Sequence, residues 1–372
     1  MTRNQRDIVF DTVNLFNLQL PGRPMYPTSR PYTEEQYAAK IAWTAETLKR
    51  LDADVIAFQE LWSREALEAA FAAAGLAASY QLAFIKDEPW DGIAVAAVRA
   101  PWELRARTRH KAFPDGFRLK KRKRSMADIQ ADPPAADLAA ERAAERGVNP
   151  ESLPSHEDDE MKVKIDEFSR SPIQITVGHS RAGDVEPIEV FCAHLKSKLP
   201  TRLDDEEFRD QTIRPHASAL GAALSTIRLT AEAAALRIIL NETMIGNHRP
   251  TVVLGDLNDD QLSNTLDVLT DQPSYRVYAD STAARRNDDG LYSVATMQQL
   301  RSLSDVYYTH EFKGTRLILD HVLVSEQFYE HSENRLWSFR EMKVWNDFIE
   351  DDDGATSDHG VLRAVFDWLP AR

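Results

Sequence analysis

The amino-acid sequence predicts an α/β protein that forms a single domain over residues 1–372. Short apolar runs, each of the length of a buried strand, alternate with amphipathic helical segments along the chain, and no linker interrupts them. The segment from about residue 103 to 166 is the exception, because it is highly charged and poor in apolar side chains. Such a segment cannot form a core of its own, so we interpret it as an insertion with one short helix ending at Gly147.

The chain before the insertion contains two predicted helices. Apolar residues recur at helical spacing over residues 34–51, which predicts an amphipathic helix. A second helix is predicted over residues 63–74 and is followed by Gly75, a residue type that often lies just past a helix end. Short apolar runs predict strands at residues 8–18, 54–58, 80–85 and 92–98.

Regular structure resumes after the insertion and includes a long helical region. Residues 204–244 are predicted to be helical with a break near Pro215. A short helix is predicted at residues 263–269, and the stretch after it, rich in Asp, Arg and Asn, is interpreted as a loop. Apolar runs predict strands at residues 173–177, 188–195, 251–254, 317–324 and 362–366, with a further strand near Val306.

The composition is that of a globular protein in water, with 43% hydrophobic and 28% charged residues. A formal net charge of −14 argues against a general nucleic-acid coat protein, although a local basic groove on an acidic body is compatible with a nuclease. The single cysteine, Cys192, fits a reducing compartment. The N-terminus lacks the apolar run of a secretory signal, and no segment has the apolar length of a membrane span, so we expect a cytoplasmic protein.

Polar residues interrupt or end the first predicted strands. Glu60 follows the strand at residues 54–58 and is held stiffly at the sheet edge, which suits a Mg²⁺ ligand. An equally good interpretation is that Glu60 lies at the start of the next helix, where the helix dipole favours a negative charge. Asn14 and Asn17 lie within an apolar strand, where asparagine is disfavoured, so one of them is expected to have a specific partner. Their amides can orient a carboxylate or contact phosphate, and for Asn17 a turn at the strand end is as good an explanation.

His194 closes an apolar strand and is followed two residues later by Lys196. An imidazole at this position can protonate a leaving oxygen or hold a phosphate, and the Lys196 ammonium can add positive charge. A lone histidine is more often structural, so this motif alone leaves both interpretations open. We place Cys192 in the core.

The segment Gly255-Asp256-Leu257-Asn258 follows a buried strand and gives a stronger signal. With Leu257 facing the core, the two-residue period of a strand puts Asp256 and Asn258 on the same side. One of them can align an attacking water while the other binds a phosphate oxygen. A type I turn explains this segment by itself, but it does not explain the polar residues at the other strand ends.

Asp320 and the pair Asp358-His359 complete the candidate site. A histidine base works best when a carboxylate fixes its tautomer and stabilises its cation, as in Ser-His-Asp triads. We assign that role to Asp320, with His359 as base or transition-state stabiliser and Asp358 near the metal. His321 points to the other face of its strand and is interpreted as a packed residue.

Taken in order, these segments resemble the endonuclease/exonuclease/phosphatase superfamily of DNase I-like proteins. The resemblance spans nearly the whole chain apart from the insertion, and the run Tyr308–Gly314 is similar to bacterial nuclease-like members. The family's asparagine can be aligned with Asn14 or Asn17, and we favour Asn14. The motifs are Asn14, Gln59-Glu60, His194-Leu195-Lys196-Ser197, Gly255-Asp256-Leu257-Asn258, Leu319-Asp320-His321 and Ser357-Asp358-His359.

The resemblance implies a four-layer α/β sandwich in which helices flank two central mixed β-sheets, with the site at one end. It also implies Mg²⁺, or alternatively Mn²⁺, and in-line attack of water on a phosphoester. Glu60 is then the principal metal ligand, with Asn14 beside it.

The resemblance further implies roles for the remaining candidates. The run Phe168-Ser169-Arg170-Ser171-Pro172 is similar to a DNase segment with a phosphate-contacting arginine, which implies that role for Arg170. The other implied roles are orientation of the water for Asp256, phosphate binding for Asn258, action at the scissile phosphate for the Asp320–His359 pair, and a second catalytic histidine for His194.

The sequence favours a metal-dependent nuclease acting on DNA or RNA, and it indicates no obligate protein partner. The basic cluster Lys120–Arg124 can meet a phosphate backbone, although a solvated loop or an ion-pair partner for Glu157–Glu160 explains it as well. A phosphatase or phosphodiesterase acting on nucleotides, inositol phosphates or sphingomyelin-like lipids is the alternative, which the acidic balance favours slightly. A non-catalytic binding scaffold is the third hypothesis, and the full set of polar strand ends disfavours it.

Overall fold

The computed structural model describes most of the chain, which divides into two compact units. The larger comprises residues 1–114 and 167–372, and the smaller comprises residues 115–166, of which only 115–117, 165 and 166 are described. The predicted helix ending at Gly147, the runs Lys120–Arg124 and Glu157–Glu160, and the strand near Val306 lie outside the described residues. The described residues are 4–27, 29–84, 93–117, 165–181, 185–278, 280–283, 285, 289–302, 307–351 and 354–369.

Strands and helices alternate along the described chain, as the sequence predicts. Short 3₁₀ turns lie at Arg214–His216 and Glu326–Phe328. The helices are α1 (Glu34–Leu51), α2 (Arg64–Ala73), α3 (Asp205–Arg209), α4 (Ala217–Met244), α5 (Asn264–Thr270) and α6 (Val294–Arg301). The strands are β1 (Ile8–Leu18), β2 (Val55–Leu61), β3 (Tyr80–Ala83), β4 (Ile93–Arg99), β5 (Trp102–Arg109), β6 (Ile173–His179), β7 (Ile188–His194), β8 (Thr251–Asp256), β9 (Tyr292–Ser293), β10 (His310–Phe312), β11 (Thr315–Leu317), β12 (Asp320–Val324), β13 (Trp337–Trp345) and β14 (Val361–Trp368).

Two mixed sheets form the centre of the described structure. The first has the strand order β13-β14-β1-β2-β4-β3 and the second β5-β6-β7-β8-β12-β9, with six strands each, while β10 and β11 form a separate hairpin. Each sheet contains one parallel pair near its middle, β1 with β2 and β7 with β8, and its other described pairs are antiparallel. Helices flank the sheets, which confirms the predicted four-layer α/β sandwich.

The core lies between the sheets and is rich in aromatic rings. Phe328 stacks on Trp337 at a centroid distance of 4.6 Å and meets Phe10 and Phe366 edge-on at 5.9 and 5.2 Å. Every residue of β7 and of β8 is buried. Strands covered on both faces read as nearly continuous apolar runs, and the polar residues of β7 and β8 lie in their first two or last positions. The sandwich therefore gives the strand ends rigid support.

Helix α1 has the bounds that the sequence predicts, and its start is fixed by a capping box. The Thr33 hydroxyl accepts a hydrogen bond from the Gln36 amide, and the Gln36 side chain accepts one from the Thr33 amide. The predicted break near Pro215 is confirmed, because a 3₁₀ turn separates α3 from α4. No helix in the described part of the chain is both long and apolar enough to cross a membrane.

Three features of the second half of the sandwich differ from the sequence predictions. Residues 103–109, assigned to the insertion, belong to β5, an edge strand whose exposed face carries several arginines and so resembles a charged loop. The stretch interpreted as a loop contains α6, and the edge strand β13 was not predicted because charged residues occupy its open face. The strand predicted at 317–324 is two strands, β11 and β12, and the second begins at Asp320.

Candidate active site

The polar strand ends of both sheets converge at one end of the sandwich. In the second sheet, Asp256 at the end of β8 lies in register with His194 on β7 and with Asp320 on β12. From the first sheet, the Asn14 amide nitrogen donates a hydrogen bond across to the Asp256 Oδ2 atom at 3.1 Å. A single site therefore draws on both sheets, as the order of the motifs predicts.

Asn14 joins the two carboxylates at the centre of this site. Its amide nitrogen also donates to the Glu60 Oε1 atom at 3.3 Å, while its oxygen accepts from the Phe16 amide at 2.9 Å. Glu60 has a φ of +57°, a region that glutamate rarely adopts, and the β1–β2 register shifts after Asn14. This irregularity redirects the Glu60 carboxylate to Asn14, as bulges next to active sites commonly do.

Asp320 and His359 form the carboxylate–imidazole pair that the sequence predicts. The His359 Nδ1 atom lies 2.8 Å from the Asp320 Oδ2 atom, and both side chains are buried. The other ring nitrogen, Nε2, lies 3.8 Å from the Asp256 Oδ2 atom. Ser357 fixes the loop before His359, because its hydroxyl donates to the Asn14 carbonyl at 2.8 Å and accepts from the His359 amide at 3.1 Å.

Burial and crowding shift the pKa values of these groups. Burial raises the pKa of Asp256 to about 7; His359 opposes this rise, while the Asp320 and Glu60 carboxylates add to it. Burial also raises the pKa of Glu60, against the influence of His359. Although burial lowers the pKa of His359, the Asp320 and Asp256 carboxylates more than offset that effect and hold it well above its usual value. The site thus concentrates buried negative charge that a bound cation would neutralise.

The donor set fits a divalent metal. Ligand atoms of Asp256, Asp320 and His359 lie within 4.8 Å of one another, and so do those of His310, Asp358 and His359. Hard divalent cations prefer carboxylate oxygens, which Asp256, Asp320 and Asp358 supply in these groups. Among the described residues, the Asp320 Oδ1 atom is buried without a hydrogen-bond partner, and burial raises the pKa values of Asp256 and Glu60. Both features fit a site that a cation would complete.

We expect the Asp320→Asn variant to lower the pKa of the His359 imidazole. The first of the three carboxylates that raise this pKa is then neutral, so His359 loses its proton at lower pH than in the wild type. An NMR titration of the His359 ring with chelator present measures the change without metal. An unaltered titration in the variant would show that Asp320 does not control His359.

A second group of predicted residues surrounds the carbonyl groups at the end of β7. The Arg170 guanidinium donates to the His194 carbonyl at 3.3 Å and to the Leu195 carbonyl at 2.6 Å. The Asn258 amide donates to the same Leu195 carbonyl at 3.0 Å. His194 itself is buried, with its Nε2 atom 3.5 Å from the Asp256 Oδ2 atom. Arg170, His194 and Asn258 are therefore brought to the Asp256 side of the site.

Two predicted site residues, Asn258 and Asn17, depart from regular extended backbone. Strand β8 ends at Asp256 and Asn258 has a φ of +56°, so the extended alternation used to place Asn258 is wrong. The two residues are instead linked by a hydrogen bond from the Asn258 amide to the Asp256 Oδ1 atom at 2.9 Å. Asn17 lies near the end of β1 with a φ of +65°, and its oxygen accepts from the Trp62 indole at 2.9 Å. A substrate contact by Asn17 stays a prediction.

Two residues predicted to be structural are buried as expected. The His321 Nε2 atom lies 2.9 Å from the Asp259 carbonyl oxygen, and burial lowers the pKa of His321. Cys192 is fully buried and burial raises its pKa to about 12. Gly255 allows β7 and β8 to approach, because a Cβ atom there would lie 1.9 Å from the Ala193 carbonyl oxygen.

His310 lies in the run Tyr308–Gly314 and is a site neighbour that the sequence does not predict. The His310 ring lies 4.6 Å from the His359 ring, and its Nδ1 atom lies 3.1 Å from the Asp358 carbonyl. Thr309 beside it is buried, and its hydroxyl accepts from the Asp320 amide at 3.1 Å. The only sign of this position in the sequence is the polar pair Thr309-His310, which precedes the strand that carries Asp320.

Comparisons with known proteins agree with this fold. A model of the Endonuclease/Exonuclease/phosphatase family matches residues 197–359, which include Asp256, Asp320 and His359. The endonuclease/exonuclease/phosphatase from Bacteroides vulgatus shares the fold at 12% identity and a TM-score of 0.50, with 98% of this chain and 99% of that chain covered. Humanized D. rerio TDP2 with 14 mutations does so at 11% identity and a TM-score of 0.50, with 97% and 99% covered. None of the curated proteins matches this chain in sequence.

The sandwich is the DNase I-like fold of these solved structures, and the model of the endonuclease/exonuclease/phosphatase family matches the part of the chain that carries Asp256, Asp320 and His359. Members of this family are phosphoesterase hydrolases that commonly depend on a divalent metal. Both the resemblance and the fold class predicted from the sequence are thereby confirmed.

Proposed function

We propose that this protein is a Mg²⁺- or Mn²⁺-dependent nuclease that hydrolyses phosphodiester bonds by in-line attack of water. One observation carries the proposal. The Asp320–His359 pair directs its second ring nitrogen to Asp256, and Asp256 is connected through Asn14 to Glu60. This is the constellation of carboxylate, amide and imidazole groups that metal-assisted phosphoester hydrolysis requires.

Glu60, with Asn14 and Asp358 nearby, would hold the metal. Glu60 and Asp358 influence each other electrostatically, and Asn14 contacts Glu60 directly. A bound divalent cation supplies Lewis-acid stabilisation of the negative charge that develops on the phosphoryl oxygens.

The other site residues have separate roles in catalysis and phosphate binding. Asp256 orients the attacking water and accepts its proton, while His359, kept cationic by Asp320 and Asp256, stabilises charge at the scissile phosphate. The P–O bond to the leaving group breaks as the new P–O bond forms, and His194 protonates the leaving oxygen. Arg170, Lys196 and Asn258 bind the non-bridging oxygens.

The β10–β11 hairpin provides an argument for a substrate that carries bases. Its root is fixed to the site, because His310 pairs with His359 through the backbone and packs its ring against the His359 ring. Phe312 lies on the same face as His310 by the strand period, roughly 7 Å further along, and is 51% exposed. An exposed ring this close to the phosphate site is suited to stack an unpaired base.

We expect Phe312→Ala to raise the KM for a single-stranded oligonucleotide about tenfold, within the range for loss of one base–aromatic stack. Hydrolysis of a small diester without a base, such as methyl 4-nitrophenyl phosphate, should be unchanged. Tyr278→Ala is the matched control, because this ring is 73% exposed on the loop after α5. An equal loss on both substrates would argue that Phe312 supports the site and not the base.

The proposed function is tested by a metal-supplemented activity screen. Single-stranded and plasmid DNA, RNA, nucleotides, inositol phosphates and sphingomyelin vesicles are supplied with Mg²⁺ or Mn²⁺, with a chelator control for each. We expect nucleic acids to be hydrolysed fastest. Turnover of a small or lipid phosphoester with no cleavage of nucleic acid would favour the alternative substrate class, to which the net charge of −14 is also suited.

A further inference from the structure

Glu232 is a fully buried carboxylate in the middle of α4. Its Oε1 atom accepts hydrogen bonds from the Ser169 amide at 2.8 Å, the Ser169 hydroxyl at 2.6 Å and the Arg228 Nε atom at 3.2 Å. Its Oε2 atom accepts from the Lys196 amide at 2.8 Å. Burying an ionised carboxylate is costly unless its oxygens are bonded, and here both are.

Apart from Arg228 on the same helix, the donors to Glu232 come from two loops that both reach the active site. Ser169 directly precedes Arg170, and Lys196 directly follows Leu195, whose carbonyl accepts from Arg170 and from Asn258. One side chain on a helix thus connects the loop before β6 to the loop after β7. These loops carry the residues assigned to phosphate binding, whereas the described hydrogen bonds of Glu232 include none to Asp256, Asp320 or His359.

We propose that Glu232 is a positioning residue that holds Arg170 and Lys196 in place to bind the substrate phosphate. This inference rests on the proposed function and adds to it a residue outside the family motifs. Without the Glu232 carboxylate, the backbone amides of Ser169 and Lys196 would lose their hydrogen-bond acceptor. Burial and Arg170 lower the pKa of Lys196, and the Glu232 charge opposes them, which favours a cationic Lys196.

A purely structural role for Glu232 makes a different prediction. A buried ion pair that only stabilises α4 would change the melting temperature and leave the affinity for phosphate unaltered. A positioning role changes the affinity for phosphate through Arg170, so the effects of altering Glu232 and Arg170 must be non-additive.

The test compares Glu232→Gln with Glu242→Gln, an exposed glutamate on the same helix. The glutamine amide group cannot accept from all four donors. We expect the KM for the phosphodiester and the Kd for inorganic phosphate to rise about tenfold in Glu232→Gln, with kcat changed much less. The control should match the wild type.

The coupling is measured in the Arg170→Ala background. There, Glu232→Gln should raise the phosphate Kd less than twofold, because the residue it positions is absent. An equal rise in both backgrounds, or an unchanged phosphate Kd in Glu232→Gln, would overturn the proposal. If Glu232→Gln does not fold, Ser169→Ala removes one donor and should raise the phosphate Kd two- to threefold. Phosphate binding is read by calorimetry without turnover, so an inactive wild type would refute the proposed function and leave this inference testable.

Discussion

The His359→Ala variant is expected to lose between about a hundredfold and ten-thousandfold in kcat, the range for a positioned proton-transfer or charge-stabilising group. The His359 ring is buried, bonds to Asp320 at 2.8 Å and faces Asp256 through its second nitrogen. Its removal leaves two buried carboxylates without the cation between them. The rate is measured with saturating Mg²⁺ on the substrate that the wild type hydrolyses fastest.

The His359→Ala measurement needs a control variant and a check of folding. His331→Ala is the matched control, because this imidazole packs beside Tyr329 and contributes to no catalytic contact in the described residues. Circular dichroism of both variants verifies that the sandwich has formed. A loss of less than tenfold in folded His359→Ala would contradict the mechanism.

Asp256→Ala is expected to lower kcat at least a hundredfold. Asp256 is the residue at which the strand ends meet, with contacts to Asn14 at 3.1 Å, His194 at 3.5 Å and His359 at 3.8 Å. Without its carboxylate, the attacking water loses its orienting group and proton acceptor, and both imidazoles lose their shared anion. The comparison is again made from initial rates at saturating Mg²⁺.

The matched control for Asp256 is Asp205→Ala, an aspartate on α3 whose side chain is 71% exposed. It removes the same charge at a solvated position and should retain wild-type activity. Retention of activity by folded Asp256→Ala, within tenfold of the wild type, would exclude Asp256 as the water-orienting group.

Much of the fold is predictable because the central strands are buried on both faces. Strands β1, β7 and β8 appear in the sequence as apolar runs that end at polar residues, and α1 carries a clear helical period with a capping box at Thr33. The edge strands β5 and β13 lack this signal, since one face of each meets water and carries charge. Local pattern therefore predicts the interior of the sandwich better than its rims.

The candidate site shows the same division. The polar strand ends identified Asp256, Asp320 and His359, and the structure brings them together. The roles of Ser357 and Glu232 were not predictable, because each acts on residues far away in the sequence. Such contacts depend on how the sheets and α4 pack, and no local period or composition encodes them.

Metal dependence of the hydrolysis tests the central claim most directly. Initial rates are measured on the phosphoester turned over fastest, with Mg²⁺, with excess chelator, and after Mg²⁺ is restored to the chelated enzyme. Activity should disappear with chelator and return with Mg²⁺, and Glu60→Gln should require a higher Mg²⁺ concentration for half-maximal rate. Hydrolysis that persists unchanged in excess chelator would contradict a metal-dependent site at these strand ends.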